Sequence, residues 1–331
     1  MIVRRVAAAL ALVAAVALAG CGAASRDIAP NTSATLLLDA APNAVHAGIY
    51  TAVARGYDDA LGVNLRIRPP SAATDATKLL ASGRVPLAIL DIHDLAIARE
   101  RGRDLVAVMA VVQQPLAAIF AQPLIGTARE LEGRYVGVGD RPSDDAVLRT
   151  IVTAAGGDPA KVGRTALGSG AVPGILDGRL AAATGSWNVE GVALHAAWPD
   201  VRELRLGDHG APAFPELVLA TARATLRDEP GVVRAAVQAL ARGYAEVLSD
   251  PESAVSSMLA ARRGLDRATI ARQLDAVAPA LTAGARVFGE LDPGRLRAWA
   301  RWERRFEVVR RVPDVRRAFD GRYVPRSGSR D

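Results

Sequence analysis

Residues 34–50 read ATLLLDAAPNAVHAGIY, and this stretch introduces the pattern on which the whole chain is built. An apolar run at 35–38 that ends at Asp39 is typical of a short buried strand. Residues 44–55 have helical character, and Gly56 stands where a glycine that ends a helix is expected. A strand, a polar turn and a helix in this order predict a βα unit of an α/β sheet.

The same alternation recurs along the chain in two runs. Strands are predicted at 63–67, 85–90, 105–112, 117–121, 134–138, 181–184, 201–204 and 215–221, and helices at 74–82, 93–101, 143–155, 169–177 and 189–197. Four more helices follow without strands between them, at 232–248, 251–260, 267–281 and 293–309. Alternating elements predict mostly parallel sheets that are covered by helices on both faces.

The two runs predict an α/β protein with two lobes and a helical C-terminal region. A chain of 331 residues is long enough for such a division, because single cores stop growing near about 250–300 residues. We expect the first lobe to combine residues 34–122 and 222–331, and the second to span 123–221. The chain would then cross between the lobes near Gln122 and Thr221.

The N-terminus has the features of an export signal. Arg4 and Arg5 precede an apolar run at 6–18, and the segment ends in Leu-Ala-Gly-Cys at 18–21. A cationic start, a short apolar core and small residues before a cut are typical of a secretory signal peptide. The ending resembles the lipobox of bacterial lipoproteins, in which the cysteine becomes the lipidated first residue.

We therefore expect residues 1–20 to be removed, Cys21 to be lipidated and 21–33 to form a tether. Cys21 is the single cysteine of the chain, so no disulfide framework competes for it. The mature protein would work outside the cytoplasm, anchored to the cell membrane. The alternative is an ordinary signal peptide with an incidental cysteine.

Composition argues against several classes of function. The formal net charge is +6, but the export signal and the lack of basic–aromatic interleaving argue against nucleic-acid binding. The sequence has no P-loop and no Gly-x-Ser-x-Gly elbow. The four histidines are scattered, and Lys78 and Lys161 fall on predicted surfaces. We therefore expect no metal site, no cofactor and no catalytic residue.

The arginine-rich helix at 293–309 has two interpretations. A basic face could meet anionic lipid or an acidic partner. The interleaved Glu303 and Glu307 instead favour a solvated face of alternating charge, and this is our prediction.

Ligands of open α/β sheets bind beyond the carboxyl ends of the strands, and polar side chains cluster at those positions here. The segments concerned are 39–50, 91–94, 113–115, 139–145, 185–190 and 211–216. Their candidate ligand-binding residues are Asp39, Asn43, His46, Asp91, His93, Gln113, Trp187, Asn188, Glu190 and Glu216.

Several of these residues have a structural alternative. Asn43 could cap the first helix, and His46 could be a buried histidine with its hydrogen bonds satisfied. Residues 143–145 are better explained as a capped helix start than as a ligand site. Trp187 could pack in the core, but its polar neighbours favour a stacking surface for a planar ligand.

The charges near the predicted site indicate the charge of the ligand. An anion would favour helix N-termini without acids, yet those near 91 and 143 carry Asp91, Asp94, Asp144 and Asp145. These carboxylates favour a neutral or cationic ligand that has hydrogen-bond donors, and they argue against nitrate, phosphate or sulfonate.

Residues 36–50 resemble the opening of a family of periplasmic or lipid-anchored proteins that bind thiamine-pyrimidine precursors. That family is related to the sulfonate, nitrate and taurine binders. The shared pattern is a strand, Asp39, a Pro-Asn pair, His46, a glycine and an aliphatic–Tyr pair. Shorter matches stand at 55–57, 81–89 and 131–137.

The resemblance implies a type II periplasmic-binding-protein fold, with a cleft that closes on a small molecule and an ABC permease as the partner. The cleft residues that it implies are Asp39, Asn43, His46 and Tyr50. The chain departs from the pattern at 40–41, where two alanines replace the aromatic of the thiamine-precursor binders.

Other functions stay open at this point. Riboflavin binders and sulfonate or nitrate binders belong to the same neighbourhood, and a lipoprotein with a sensory or structural role could keep the fold. A thiamine-pyrimidine synthase shares the fold but uses a cysteine-rich stretch and an active-site lysine, which are missing here. We therefore expect a monomeric binding protein and not an enzyme.

Overall fold

The computed structural model describes residues 31–167 and 170–325. Within them the strands are β1 (Thr32–Leu37), β2 (Val63–Arg68), β3 (Leu87–Asp91), β4 (Leu105–Val112), β5 (Ala117–Ala121), β6 (Tyr135–Val138), β7 (Gly163–Ala166), β8 (Ala182–Ser186), β9 (Arg202–Arg205) and β10 (Leu217–Ala222). The helices are α1 (Ala47–Ala54), α2 (Ala76–Ala81), α3 (Ile92–Glu100), α4 (Pro142–Ala154), α5 (Ala171–Leu176), α6 (Val192–Ala197), α7 (Arg223–Asp228), α8 (Pro230–Ser249), α9 (Pro251–Ala261), α10 (Arg267–Thr282), α11 (Pro293–Arg305) and α12 (Val315–Ala318).

The strands form two five-stranded sheets, and each sheet is the centre of one lobe. The strand order is β2-β1-β3-β10-β4 in the first sheet and β7-β6-β8-β5-β9 in the second. Helices α7 to α12 follow β10, the last strand. The predicted α/β architecture with two lobes and a helical C-terminal region is confirmed.

Half of the strand pairings are antiparallel, so the expectation of mostly parallel sheets is wrong. β1 pairs in parallel with β2 and β3, as β6 does with β7 and β8. β10 runs antiparallel to β3 and β4, and β5 runs antiparallel to β8 and β9. β5 and β10 are the first strands after each passage between the sheets, so they start at the edge where the parallel strands end.

The passages between the sheets differ from the predicted ones by a few residues. The chain leaves the first sheet after β4 and enters the second at β5, so it crosses at 113–116 and not near Gln122. It returns at 206–216, before β10 and not near Thr221. β5 therefore belongs to the second sheet and β10 to the first. The sequence did not predict this, because the apolar pattern of a strand does not indicate which sheet the strand joins.

Some element bounds also differ from the prediction. β1 begins at Thr32, so the expected tether to residue 33 overlaps it. The strand at 163–166 and the short helices α7 and α12 were not predicted. α11 ends at Arg305 and not at residue 309, because Glu307 adopts a left-handed backbone conformation with φ of 59°.

Helices α1 and α8 approach each other closely through two glycines. Tyr244 of α8 stacks on Phe288 and donates a hydrogen bond from its hydroxyl to the Val45 carbonyl at 2.6 Å. A side chain at Gly48 would overlap the Tyr244 ring, and one at Gly243 would overlap the Gly48 carbonyl oxygen. The glycines thus allow the start of the first βα unit to rest directly on α8.

None of the helices in residues 31–167 and 170–325 combines the length and apolar content that crossing a bilayer requires. The expected signal peptide at 1–20 and lipidation at Cys21 lie outside the described residues, as does most of the tether.

Candidate functional site

A cavity of about 810 Å³ lies where both sheets contribute strand ends, and we call it the main cavity. The first lobe provides the residues after β1 and β3 and those at the start of β10. The second lobe provides residues 186–190, which follow β8, and Arg141, which precedes α4. Its volume is in the range of small-molecule sites, and the strand-end rule predicted where it lies.

The predicted site residues divide into two groups. Those that line the main cavity are Asp39, Asn43, Asp91, Asn188, Glu190 and Glu216. His93 lines an adjoining cavity of about 410 Å³, which we call the side cavity. His46, Tyr50, Gln113 and Trp187 are buried and line neither of the two.

His46 holds Asp39 at the rim of the cavity. Its Nδ1 accepts the Asn43 backbone N–H at 3.2 Å, so Nε2 carries the hydrogen and donates to Asp39 Oδ1 at 2.8 Å. The Asn43 side chain accepts the Val45 N–H at 3.1 Å and caps the following turn. The structural alternatives for His46 and Asn43 therefore both hold, and Asp39 is the side chain that they present to the cavity.

Tyr50 and Gln113 belong to the packing of the first lobe and not to the cavity wall. Tyr50 lies on the buried face of α1, and burial raises the pKa of its hydroxyl. The side-chain amide of Gln113 donates to the Glu290 carbonyl at 2.9 Å, and its backbone N–H donates to the Ala280 carbonyl at 2.8 Å. Gln113 thus ties the end of β4 to the C-terminal helical region.

Trp187 does not provide the stacking surface that we expected. Its Nε1 donates to the Pro115 carbonyl at 2.9 Å, and its backbone N–H donates to the Leu116 carbonyl at 2.9 Å. The Arg205 guanidinium covers the ring at 4.3 Å from the ring centre. The indole therefore packs beneath the passage at 113–116 and supports it. The sequence could not show this, because the direction of the ring depends on local helix geometry.

That local geometry is a π-helical turn at Trp187–Gly191, which puts Asn188 against the main cavity. Glu190 accepts the Ser186 N–H at 2.9 Å and closes the turn. The Asn188 side chain is buried, yet its Oδ1 has no hydrogen-bond partner among the described residues. Turns of this kind are frequent at functional sites, and a buried amide oxygen without a partner is costly unless a ligand supplies one.

Arg141 spans the cleft and is surrounded by carboxylates. Its Nη1 lies 3.2 Å from Asp91 Oδ2 and 3.9 Å from Asp94 Oδ2, and its Nε lies 3.8 Å from Asp144 Oδ2. Asp91 and Asp94 belong to the first lobe, whereas Arg141 and Asp144 belong to the second. The cluster is thus a charged connection between the lobes.

Burial and crowding shift the titration of this cluster. Burial and the nearby Asp91 raise the pKa of Asp94 to about 6 and the pKa of Glu216 to about 7. Asp91 is also the main reason why the pKa of Arg141 is raised. The cavity wall therefore has more acidic groups than cations to balance them, as its sequence segments predicted.

His93 pairs with a carboxylate from the C-terminal region. Its Nδ1 contacts Glu303 Oε1 of α11, and both side chains are buried. Burial opposes protonation of His93, but the charges of Glu303 and Asp91 outweigh it and raise the pKa to about 10. Its ring packs against Phe214 and Trp302, each 5.4 Å away between ring centres.

Sequence reasoning missed Arg141 and Glu303. Arg141 lies in segment 139–145, one of the strand-end segments where a ligand was expected. The acidic residues of that segment were interpreted as the capped start of a helix, and the arginine was not considered. Glu303 was predicted to face solvent and is fully buried, so that prediction is wrong. A signal existed, because Leu296, Trp299 and Ala300 form an apolar stripe on which Glu303 is the next position.

Comparison with known proteins agrees with this architecture. Residues 43–254 match the family model described as NMT1/THI5 like. The chain belongs to the NMT1/THI5-like family. A formylaminopyrimidine-binding protein of Halalkalibacterium halodurans is 33% identical over 253 residues, which cover 75% of this chain and 76% of that protein. The resemblance stated from residues 36–50 is therefore confirmed.

Two further proteins place the chain within this family and fold. The yeast 4-amino-5-hydroxymethyl-2-methylpyrimidine phosphate synthase THI5 is 29% identical over 107 residues, which is 31% of each chain. The periplasmic aliphatic sulphonate binding protein SsuA of Escherichia coli has the same fold, with a TM-score of 0.69 at 16% identity over 87% of this chain and 92% of its own. The NMT1/THI5-like chain thus has both a binding protein and a synthase among its relatives, and it shares its fold with a periplasmic binding protein.

Proposed function

We propose that this chain is a membrane-anchored receptor for an aminopyrimidine precursor of thiamine, which it delivers to an ABC permease. The observation that carries the proposal is the unpartnered amide oxygen of Asn188 in a carboxylate-lined cleft. The name of the relative from Halalkalibacterium halodurans supports the ligand class.

The charge of the main cavity suits such a ligand. Asp39 and Asp91 of the first lobe and Glu190 of the second line the cavity. An aminopyrimidine offers an amino group and ring nitrogens, and the amino group donates to carboxylate or amide oxygens. Sulfonate and nitrate have only acceptors, so the same wall repels them.

Asn188 adds a contact that the protein cannot make alone. A buried polar atom that lacks a partner costs roughly 1–3 kcal/mol, and a donor on the ligand would remove that cost. Because Asn188 lies in the second lobe and Asp39 in the first, a ligand that meets both favours the closed cleft.

The ring would be held without an aromatic partner. No aromatic side chain of the described residues lines the main cavity. Its apolar wall includes Leu116, Val189 and Leu217, which can cover both faces of a small ring. This agrees with the two alanines at 40–41, where the related binders have an aromatic.

The proposed transport role includes a membrane anchor and a hinge between the lobes. We infer that Cys21 carries the lipid and that the lobes move about segments 113–116 and 206–216. Cys21→Ser should release the protein from membranes or stall its processing. If the Cys21→Ser variant still fractionates with membranes and has the same mass shift as the wild type, the proposed anchor is contradicted. The proposed ligand class is unaffected by that result.

The ligand is tested by thermal shift and calorimetry on the mature protein. The ligands to compare are formylaminopyrimidine, hydroxymethylpyrimidine, thiamine, riboflavin, taurine and nitrate. A true ligand at a hundred times its Kd should stabilise the protein by about 2.7 kcal/mol. We expect this for a pyrimidine; selective binding of riboflavin or of an anion would overturn the proposed ligand class.

A further inference from the structure

We propose that Asp91, His93 and Glu216 form a binding site for one divalent transition-metal ion, between the main cavity and the side cavity. A nitrogen of His93 and a carboxylate oxygen of each of Asp91 and Glu216 lie within 4.8 Å of one another. All three residues line the side cavity. This spacing allows one small ion to contact three protein ligands.

The imidazole of His93 gives an independent indication of a ligand. Nδ1 is engaged by Glu303, whereas Nε2 is buried and has no hydrogen-bond partner among the described residues. The residue is 2% exposed and lines the side cavity. A buried imidazole nitrogen without a partner is costly, and a metal ion that displaces the Nε2 proton is a common partner for it.

The two carboxylates keep lone pairs for an ion. Glu216 Oε2 accepts the Leu116 N–H at 3.1 Å, which leaves Oε1. Asp91 Oδ1 accepts the His93 N–H at 2.8 Å, and Oδ2 faces Arg141 at 3.2 Å. Each carboxylate oxygen has two lone-pair positions, so these contacts do not use up the acceptor capacity of either residue.

Glu303 completes an arrangement known from metal sites. A histidine that binds a metal generally donates its other N–H to a carboxylate or carbonyl, which fixes the ring and raises its basicity. Glu303 occupies that position from α11, and its side chain is fully buried. This gives a reason for a buried carboxylate on a helix whose exposed face is rich in arginine.

The donor set indicates which ion fits. One imidazole and two carboxylates suit Zn²⁺ or Mn²⁺, whereas Ca²⁺ and Mg²⁺ prefer ligands that are all oxygen. The surrounding Asp94 and Asp144 add negative charge that favours a cation. Arg141 would have to leave Asp91, and its half-exposed side chain has room to do so.

Calorimetric titration with ZnCl₂ tests the site on mature protein that has no histidine tag and has been treated with a chelator. We expect one Zn²⁺ per chain. Asp91→Asn and Glu216→Gln should each weaken the affinity at least about tenfold, and Glu303→Gln should weaken it by roughly 10–100-fold. X-ray absorption of the wild-type complex should show nitrogen and oxygen ligands at about 2.0–2.2 Å.

His195→Ala is the matched control, because this exposed histidine also pairs with a carboxylate, Glu203, at 3.2 Å. We expect the control to bind Zn²⁺ as the wild type does. No binding by the wild type, or full affinity in both Asp91→Asn and Glu216→Gln, would overturn the site. The titration contains no pyrimidine, so its result is independent of the proposed function.

Discussion

Arg141 Nη1 lies 3.2 Å from Asp91 Oδ2, and this ion pair joins the start of α4 in the second lobe to the end of β3 in the first. The two residues stand on opposite walls of the main cavity. The pair therefore holds the lobes together at the place where we propose that a ligand binds. A ligand with a cationic or donor edge competes with Arg141 for the same carboxylate.

Removing this pair should open the ligand-free cleft. The Arg141 side chain is 51% exposed, so solvent screening limits the contribution of the pair to roughly 0.2–1 kcal/mol. Arg141→Ala should then shift the lobe equilibrium by up to about fivefold. Fluorescence energy transfer between dyes on the two lobes measures this shift.

Arg164→Ala is the control for Arg141→Ala. Arg164 pairs with Asp145 at 2.9 Å within the second lobe and does not cross the cleft. Its loss should leave the distance between the dyes unchanged. An equal distance in Arg141→Ala and the wild type would show that the pair does not hold the lobes.

Asn188→Ala should weaken ligand binding without lowering the stability of the ligand-free protein. It removes a buried oxygen that lacks a partner among the described residues, so the ligand-free protein should keep its stability or gain up to about 1 kcal/mol. Binding of the pyrimidine should weaken by about tenfold, because one ligand donor loses its acceptor. Urea unfolding and calorimetry measure the two effects.

Asn64→Ala provides the comparison for Asn188→Ala. The Asn64 amide donates to Asp59 Oδ1 at 3.1 Å on the exposed side of β2. This variant should bind the ligand normally. Normal binding by Asn188→Ala as well would mean that the amide does not meet the ligand.

The sequence predicted the location of the site better than the roles of its residues. Strand ends in α/β sheets meet at one edge, so Asp91, Asn188 and Glu216 could be named without coordinates. Their surroundings could not be named, because they depend on elements far apart in the chain. The partner of His93, for example, is 210 residues away.

Local hydrogen bonding explains why some candidates do not face the cavity. Asn43 and His46 are used to shape the turn after β1, and they leave Asp39 to face the cavity. Trp187 turns inward because a π-helical turn follows β8. The residues of this turn have no sequence pattern that predicts a π-helix. The direction of a side chain at a helix start is thus decided by the cap, which sequence spacing does not determine.

The pair of His93 and Glu303 predicts a large difference between two glutamates near the end of α11. Glu303 is fully buried against His93, whereas Glu307 is 71% exposed and pairs with Arg149 at 3.1 Å. Glu303→Ala leaves the buried imidazole without its counter-charge and should lower the free energy of unfolding by about 3–5 kcal/mol. Glu307→Ala should lower it by less than about 1 kcal/mol.

Chemical denaturation in the presence of a chelator measures both glutamate variants without any contribution from metal. Equal stability of the two would show that the buried contact between Glu303 and His93 stabilises the fold no more than an exposed ion pair does.

The contact between α1 and α8 predicts opposite effects for two glycines of the same helix. At Gly243 a Cβ would overlap the Gly48 carbonyl oxygen and lie 2.8 Å from the Ala52 Cβ, so Gly243→Ala must push the helices apart. Such overpacking typically costs about 1–3 kcal/mol. At Gly231 a Cβ meets nothing within 4 Å, and the residue lies in the first turn of α8. Gly231→Ala should therefore stabilise the protein by up to about 1 kcal/mol through the better helix propensity of alanine.

Thermal unfolding of the two variants beside the wild type gives the comparison. Because α1 follows the turn that presents Asp39, the Gly243→Ala variant should also bind ligand more weakly, whereas Gly231→Ala should bind it normally. A Gly243→Ala variant that matches the wild type in both stability and ligand binding would show that a Cβ fits between the two helices without displacing them.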